Sequence, residues 1–195
     1  MFQVLNCLVT EHDWRLVVLA GAICAFASAV AISLFQRARA SHGRARAIWI
    51  CLDAAVGGCG IWATHFVAML AYDPGAGAGY NIPVTLLSLL FAVCIVAIGL
   101  CVALFSAQRS VIAVGGAIIG GGVAAMHYTG MAALEFPAYI VWAPGIVSIS
   151  VVFGSVFAAL AMLVAMRRDD SAHTLAAAGL LTVAIVSHHF TAMGA

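Results

Sequence analysis

Three short segments of this chain carry side chains that bind soft metals. They read Thr64-His65-Phe66-Val67-Ala68-Met69, Met126-His127-Tyr128-Thr129-Gly130-Met131 and His188-His189-Phe190-Thr191-Ala192-Met193. Each is a histidine, an aromatic, any residue, a small residue and a methionine. The histidines stand at 65, 127 and 189, so both intervals are 62 residues. The register extends upstream, where Gly58-Cys59-Gly60 aligns with Gly120-Gly121-Gly122, and across Ser88 and Ser150. Imidazole and thioether together favour copper, Cu(I) above all, over magnesium, calcium or manganese. The segments hold no carboxylate, which argues against a hard cation or a di-iron site. Zinc would ordinarily recruit Cys, Asp or Glu beside His. The candidate ligands are therefore His65, Met69, His127, Met131, His189 and Met193. A single histidine in an apolar helix is commonly a hydrogen-bonded packing residue, and a methionine stripe is commonly core. Repetition in register is what selects a shared site here.

The composition determines what must hold these residues. Of 195 residues, 65% are hydrophobic and 8% are charged, with a mean hydropathy of +1.15. Soluble domains carry roughly 25% charged residues, so this chain cannot cover a water-facing surface. A soluble enzyme and a nucleic-acid binder are excluded, and the bilayer is the implied solvent. Six apolar runs reach the length of a span, about 20 residues: 16–35, 47–71, 82–105, 111–134, 144–166 and 174–194. They lack the alternation of a membrane β-barrel. The fold class is all-α: an integral membrane helical bundle of six transmembrane helices. They form three two-helix repeats, roughly 12–71, 80–134 and 142–195, in a pseudo-threefold arrangement within a single domain spanning 1–195. Each 62-residue interval contains two helices, so all three motifs lie toward the C-terminal ends of the even helices. Histidine and methionine four apart share one helix face, and the small residue between them allows close helix approach. The even helices are expected inside and the odd helices outside.

Arginine placement orients the bundle. There is no lysine, and seven of the eight arginines fall in the first, third and fifth connections: Arg37, Arg39, Arg44, Arg46, Arg109, Arg167 and Arg168. Those connections should face the cytoplasm, with the N-terminus extracytoplasmic. The histidines then lie roughly 10 Å inside the outer ends of their helices. His12, beside Asp13 on that outer face, and His188, about 100° around the helix from His189, are weaker ligand candidates. His42 and His173 read as solvated. Asp53 reads as lying near the inner end of the second helix with an arginine or backbone partner, a proton-handling role being the lesser alternative. The six cysteines show no CxxC pair and read as small packing residues.

The segment Met126-His127-Tyr128-Thr129 resembles the signature of the MHYT domain, a bacterial membrane sensor domain. The other two segments look like its variants, with Thr64 and His188 as leading residues and Phe66 and Phe190 for Tyr. The resemblance covers essentially the whole chain. It implies copper held by His65, Met69, His127, Met131, His189 and Met193, and through that metal the sensing of a diatomic gas such as O2, CO or NO. It also implies a seventh helix and a cytoplasmic output module for cyclic-di-GMP turnover, histidine-kinase signalling or transcriptional control. Neither lies within these 195 residues, so the sequence belongs to a longer protein or signals through a partner. The chain itself is read as a sensory module and not an enzyme. Copper transport or insertion is the alternative, weakened because the ligands cluster at one depth. A haem or copper membrane oxidoreductase ranks below it, with haem second to copper because three thioethers are superfluous around a porphyrin.

Overall fold

A computed structural model of the chain describes residues 13–72, 79–135 and 140–195. Among these residues six helices are long and apolar enough to cross a membrane. They are α1 (Trp14–Ala40), α2 (Gly43–Ala71), α3 (Ile82–Leu104), α4 (Arg109–Ala132), α5 (Pro144–Ala165) and α6 (Ser171–Met193). The expected spans match within a few residues at nearly every boundary. The exception is the first turn, where α1 and α2 both run further than hydropathy alone indicates. Arg37 and Arg39 occupy the last turn of α1, and Arg44 and Arg46 the first turn of α2. These four arginines therefore stand on helix ends and not in a loop, since arginine is a good helix former. The turn is only Ser41-His42, and Gly43 takes φ +57°, a left-handed conformation suited to glycine.

The helices form a closed ring in which each packs on its sequence neighbours and α6 returns to α1. Even and odd members differ in depth. Between 44 and 56% of residues in the apolar windows of α2, α4 and α6 are buried, against 28–33% in α1, α3 and α5. The even helices thus line the axis, as their motifs require. Phe26, Ile98, Val114 and Leu160 project outward, a belt that only lipid would cover without cost. Glycine permits the closest crossings. At Gly120 an added Cβ would lie 2.5 Å from the Gly154 carbonyl oxygen on α5, so any side chain would force α4 and α5 apart.

A threefold feature closes the histidine end. The backbone N–H groups of Asp13, Asn81 and Ala143 donate to the carbonyls of Ala71, Ala133 and Ala195 at 2.9, 2.8 and 2.9 Å. Each donor is the N-cap of an odd helix, and each acceptor stands six residues after a motif histidine. A two-residue antiparallel ladder, β1 (Gly79–Tyr80) with β2 (Leu134–Glu135), extends the middle member of this set. Asn81 strengthens it, accepting from the Val84 N–H and donating to the Glu135 carboxylate. At the opposite, arginine-rich end, Gln36 and Arg39 both donate to the carbonyl of Ala165 at the end of α5.

Candidate metal centre

The three motif histidines meet on the bundle axis. His65, His127 and His189 are 2, 1 and 4% exposed, and four to six residues separate them from the ends of α2, α4 and α6. The Nδ1 atom of His65 lies 3.2 Å from Nδ1 of His127 and 3.3 Å from Nδ1 of His189. All three offer a ligand atom within 4.8 Å of one another. A ring Nδ1 carries either one proton or one lone pair. His65 Nδ1 thus cannot form an ordinary hydrogen bond with each neighbour at once. Three converging lone pairs suit a cation better. Imidazole nitrogens about 2.0–2.1 Å from a tetrahedral or trigonal metal stand about 3.3–3.6 Å apart, close to the separations found. The residues present fit a metal.

The repeated motif explains how the rings are held. Each following aromatic packs edge-on against its own histidine. Phe66, Tyr128 and Phe190 lie 4.8, 5.0 and 5.0 Å from the imidazole centroids at interplanar angles of 81–85°. Tyr128 shares a 2.8 Å hydrogen bond between its hydroxyl and Ser150 Oγ. The small residue after the aromatic also has a structural purpose. An added Cβ at Gly130 would lie 2.6 Å from His65 Nε2, so the absence of a side chain there lets the imidazole of α2 reach across α4.

Two residues at the leading position of the motif complete the surroundings. A small cavity of about 10 Å³ beside the rings is walled in part by Met126 and His188. These precede His127 and His189, just as Thr64 precedes His65. His188 is fully buried, its centroid 5.3 Å from His127, and its Nδ1 lies 2.9 Å from the Ser150 carbonyl. A carbonyl can only accept, so Nδ1 carries the proton. Nε2 keeps the lone pair and has no hydrogen-bond partner. The 100° offset of His188 from His189 thus places it beside the cluster and not away from it. Met69 and Met131 are buried at 3 and 6% exposure and Met193 is half-buried. None of the three walls that cavity. Met126 was missed as a candidate; the signal was its alignment with His188 at the 62-residue interval. His12 lies outside the described residues.

The remaining polar residues are placed as follows. His42 is the exposed N-cap of α2. His173 bonds Asp170, the N-cap of α6, whose carboxyl lies below the usual range because the His173 backbone N–H and then its ring donate to it. Cys24 is buried, whereas Cys51, Cys59 and Cys94 are exposed on lipid-facing surfaces; the described cysteines are all free thiols. Asp53 has no arginine or backbone partner for Oδ2, because it stands ten residues into α2, about 15 Å from the helix start and beyond reach of the terminal arginines.

A multi-pass helical membrane protein with a threefold histidine cluster is thus defined by fold and site together. The chain belongs to the MHYT family, described as the bacterial signalling protein N terminal repeat, which matches residues 58–117 and 120–178. The two matches begin 62 residues apart, the interval of the histidines. The chain is 42% identical, over its full length, to an uncharacterized signaling protein of Caulobacter vibrioides. In Pseudomonas aeruginosa it is 35% identical to the bifunctional diguanylate cyclase/cyclic di-GMP phosphodiesterase MucR, with 96% of the chain covered. It is 38% identical to the cyclic di-GMP phosphodiesterase NbdA from the same organism, with 97% covered. The chain spans about a quarter of the length of these relatives, 24, 28 and 25%. No solved structure matches. The chain is an MHYT signalling domain, linked in its relatives to cyclic-di-GMP enzymes.

Proposed function

We propose that residues 1–195 act as one membrane sensory domain whose histidine cluster holds copper and reports a diatomic gas (O2, CO or NO) or redox state. The observation that carries this is the convergence of three Nδ1 atoms, at 3.2 and 3.3 Å, on the axis of a bundle. His65, His127 and His189 are the primary ligands. Met69, Met131 and Met193 form a second set one turn further along the helices, and His188, Met126 and His12 are further donors. Bound copper would supply an open coordination position to a small ligand. The protein's own part is to aim the rings, through the edge-on aromatics and Gly130, and to keep water from them.

In this reading the histidine end faces away from the cytoplasm and the arginine-rich end toward it, in the bacterial inner membrane. Helices α2 and α4 cross directly between the two, so a change in ring spacing is felt where an output module would attach. MucR and NbdA act on cyclic di-GMP, and such turnover is the output we assign, carried outside this stretch. Enzymatic activity therefore resides elsewhere than in residues 1–195.

The test uses the membrane domain in bilayer discs, loaded anaerobically with Cu(I) and exposed to carbon monoxide. A CO stretching band should appear in the infrared and be lost in His127→Ala. Stoichiometric Cu(I) with no CO band would remove gas sensing while leaving a metal site; unchanged copper in His127→Ala would remove the site itself.

A further inference from the structure

A second polar site lies on the same axis, nearer the arginine-rich end. Asp53 is 1% exposed, and its Oδ2 has no hydrogen-bond partner. It walls a cavity of about 30 Å³ to which all six helices contribute. The only other polar side chain on that wall is Ser28 of α1, 2% exposed, whose Oγ likewise lacks a hydrogen-bond partner. The thiol of Cys24, one turn earlier on α1, lies beside the Ser28 side chain. Helices α3, α4, α5 and α6 contribute only aliphatic and thioether side chains to this wall, so no charged group from them borders the cavity.

The repeat shows that packing does not demand an acid here. The positions 62 and 124 residues on are Gly115 and Ala177, both buried. Two repeats thus fill this level with small apolar residues, and one places a carboxyl there. An isolated carboxylate in hydrocarbon is prohibitively costly, and ionisable groups inside membranes mark function by default. The cavity exceeds the roughly 10–15 Å³ that one water requires, and the carboxyl and hydroxyl supply the two polar partners such a water needs. Ile61 and Ile185 wall both this cavity and the one beside the histidines, so the two sites are stacked with a thin apolar partition between them.

We propose that Asp53, with Ser28 and a water in the cavity, forms a proton-binding site that exchanges with the aqueous phase at the arginine-rich end. The proton neutralises the carboxyl while the helices are closely packed. Its departure leaves an uncompensated charge where six helices meet, which favours water entry and looser packing, so the site couples cytoplasmic proton activity to the state of the bundle. The proposal does not rest on copper binding, and its test uses metal-free protein.

The test is infrared spectroscopy of the metal-free domain in bilayers at neutral pH. Of the described carboxyl residues, Asp13, Glu135, Asp169 and Asp170 are exposed and Asp53 is buried, so loss of a protonated-carboxyl band in Asp53→Asn assigns it to Asp53. One such band per chain is expected. It should shift within minutes of transfer to D2O, move in Ser28→Ala and vanish in Asp53→Asn. Absence of the band in the wild-type protein would overturn the proposal, as would a band unshifted after hours in D2O, which denotes a sealed structural acid. The wild-type arms decide the matter even if Asp53→Asn does not assemble.

Discussion

The histidine level and the Asp53 level are both polar layers buried on one axis, yet they are built by opposite rules. At the histidine level every feature appears three times: the imidazole, the edge-on aromatic, and the backbone bond from an odd-helix N-cap to the carbonyl six residues downstream. At the Asp53 level the polar group appears once, and its counterparts are Gly115 and Ala177. Repetition marks a place where several chain segments must offer the same donor to one object. A singular polar residue in a repeated frame marks a property added to one segment. The leading motif position stands between these extremes, with Thr64, Met126 and His188 giving three different side chains at equivalent places.

The contrast predicts where substitutions will be felt. The largest effect is expected at Gly130, where even Ala places a Cβ 2.6 Å from His65 Nε2. Displacing that ring should weaken metal binding about 10–100-fold, as loss of supporting groups around metal ligands does. The same change at Gly121, where a Cβ meets nothing within 4 Å, should leave binding intact. Titration with Cu(I) against a competing chelator separates the two, and equal affinities would show that His65 is not held by close approach to α4.

At the Asp53 level the expectation is reversed. Asp53→Leu replaces a carboxyl whose Oδ2 lacks a partner and fills the adjoining space. It should stabilise the bundle by about 1–3 kcal/mol, the cost of an unsatisfied buried polar group, and leave metal affinity unchanged within twofold. Reversible unfolding in mixed micelles measures the first and chelator competition the second. A destabilised variant would mean that Asp53 is held by more than the cavity water.

Smaller effects belong to the supports. Tyr128→Phe deletes the 2.8 Å bond to Ser150 and should cost about 1 kcal/mol in the same unfolding assay, with metal stoichiometry retained. The last prediction concerns the far end. The Asp170 carboxyl is held below its ordinary range chiefly by the His173 backbone N–H. Its contribution is therefore complete above the unfolded aspartate value, about 3.9, and is lost as pH falls through the lower folded value. The stability difference between wild type and Asp170→Asn should be constant near neutral pH and shrink in acid. A difference that grew in acid would reverse the sign and dismiss the cap.

Much of this was legible in the sequence because a membrane chain offers few choices. Hydropathy alone placed six helices, and a constant interval of 62 identified which faces meet, since helices that repeat in register must present their motifs at one depth. The arginines misled only at the first turn, where good helix formers extend α1 and α2 beyond their apolar runs. The partner expected for Asp53 was inferred from depth, and the arginines at the start of α2, seven and nine residues earlier, stand about 10–14 Å away along the helix. The positions of Met126 and His188 beside the cluster were hidden for a different reason. Reading one helix at a time places them on a neighbouring face. In the bundle, six packed helices leave no neighbouring face on the axis unoccupied.

Elemental analysis of the purified domain beside a variant with His65, His127 and His189 all changed to Ala bears most directly on the proposed metal centre. Copper near one equivalent per chain in the wild-type protein, and none in the correctly assembled variant, is the expected result. No copper in either after anaerobic Cu(I) loading, or equal copper in both, would contradict it and leave the three histidines as a packing device of the bundle.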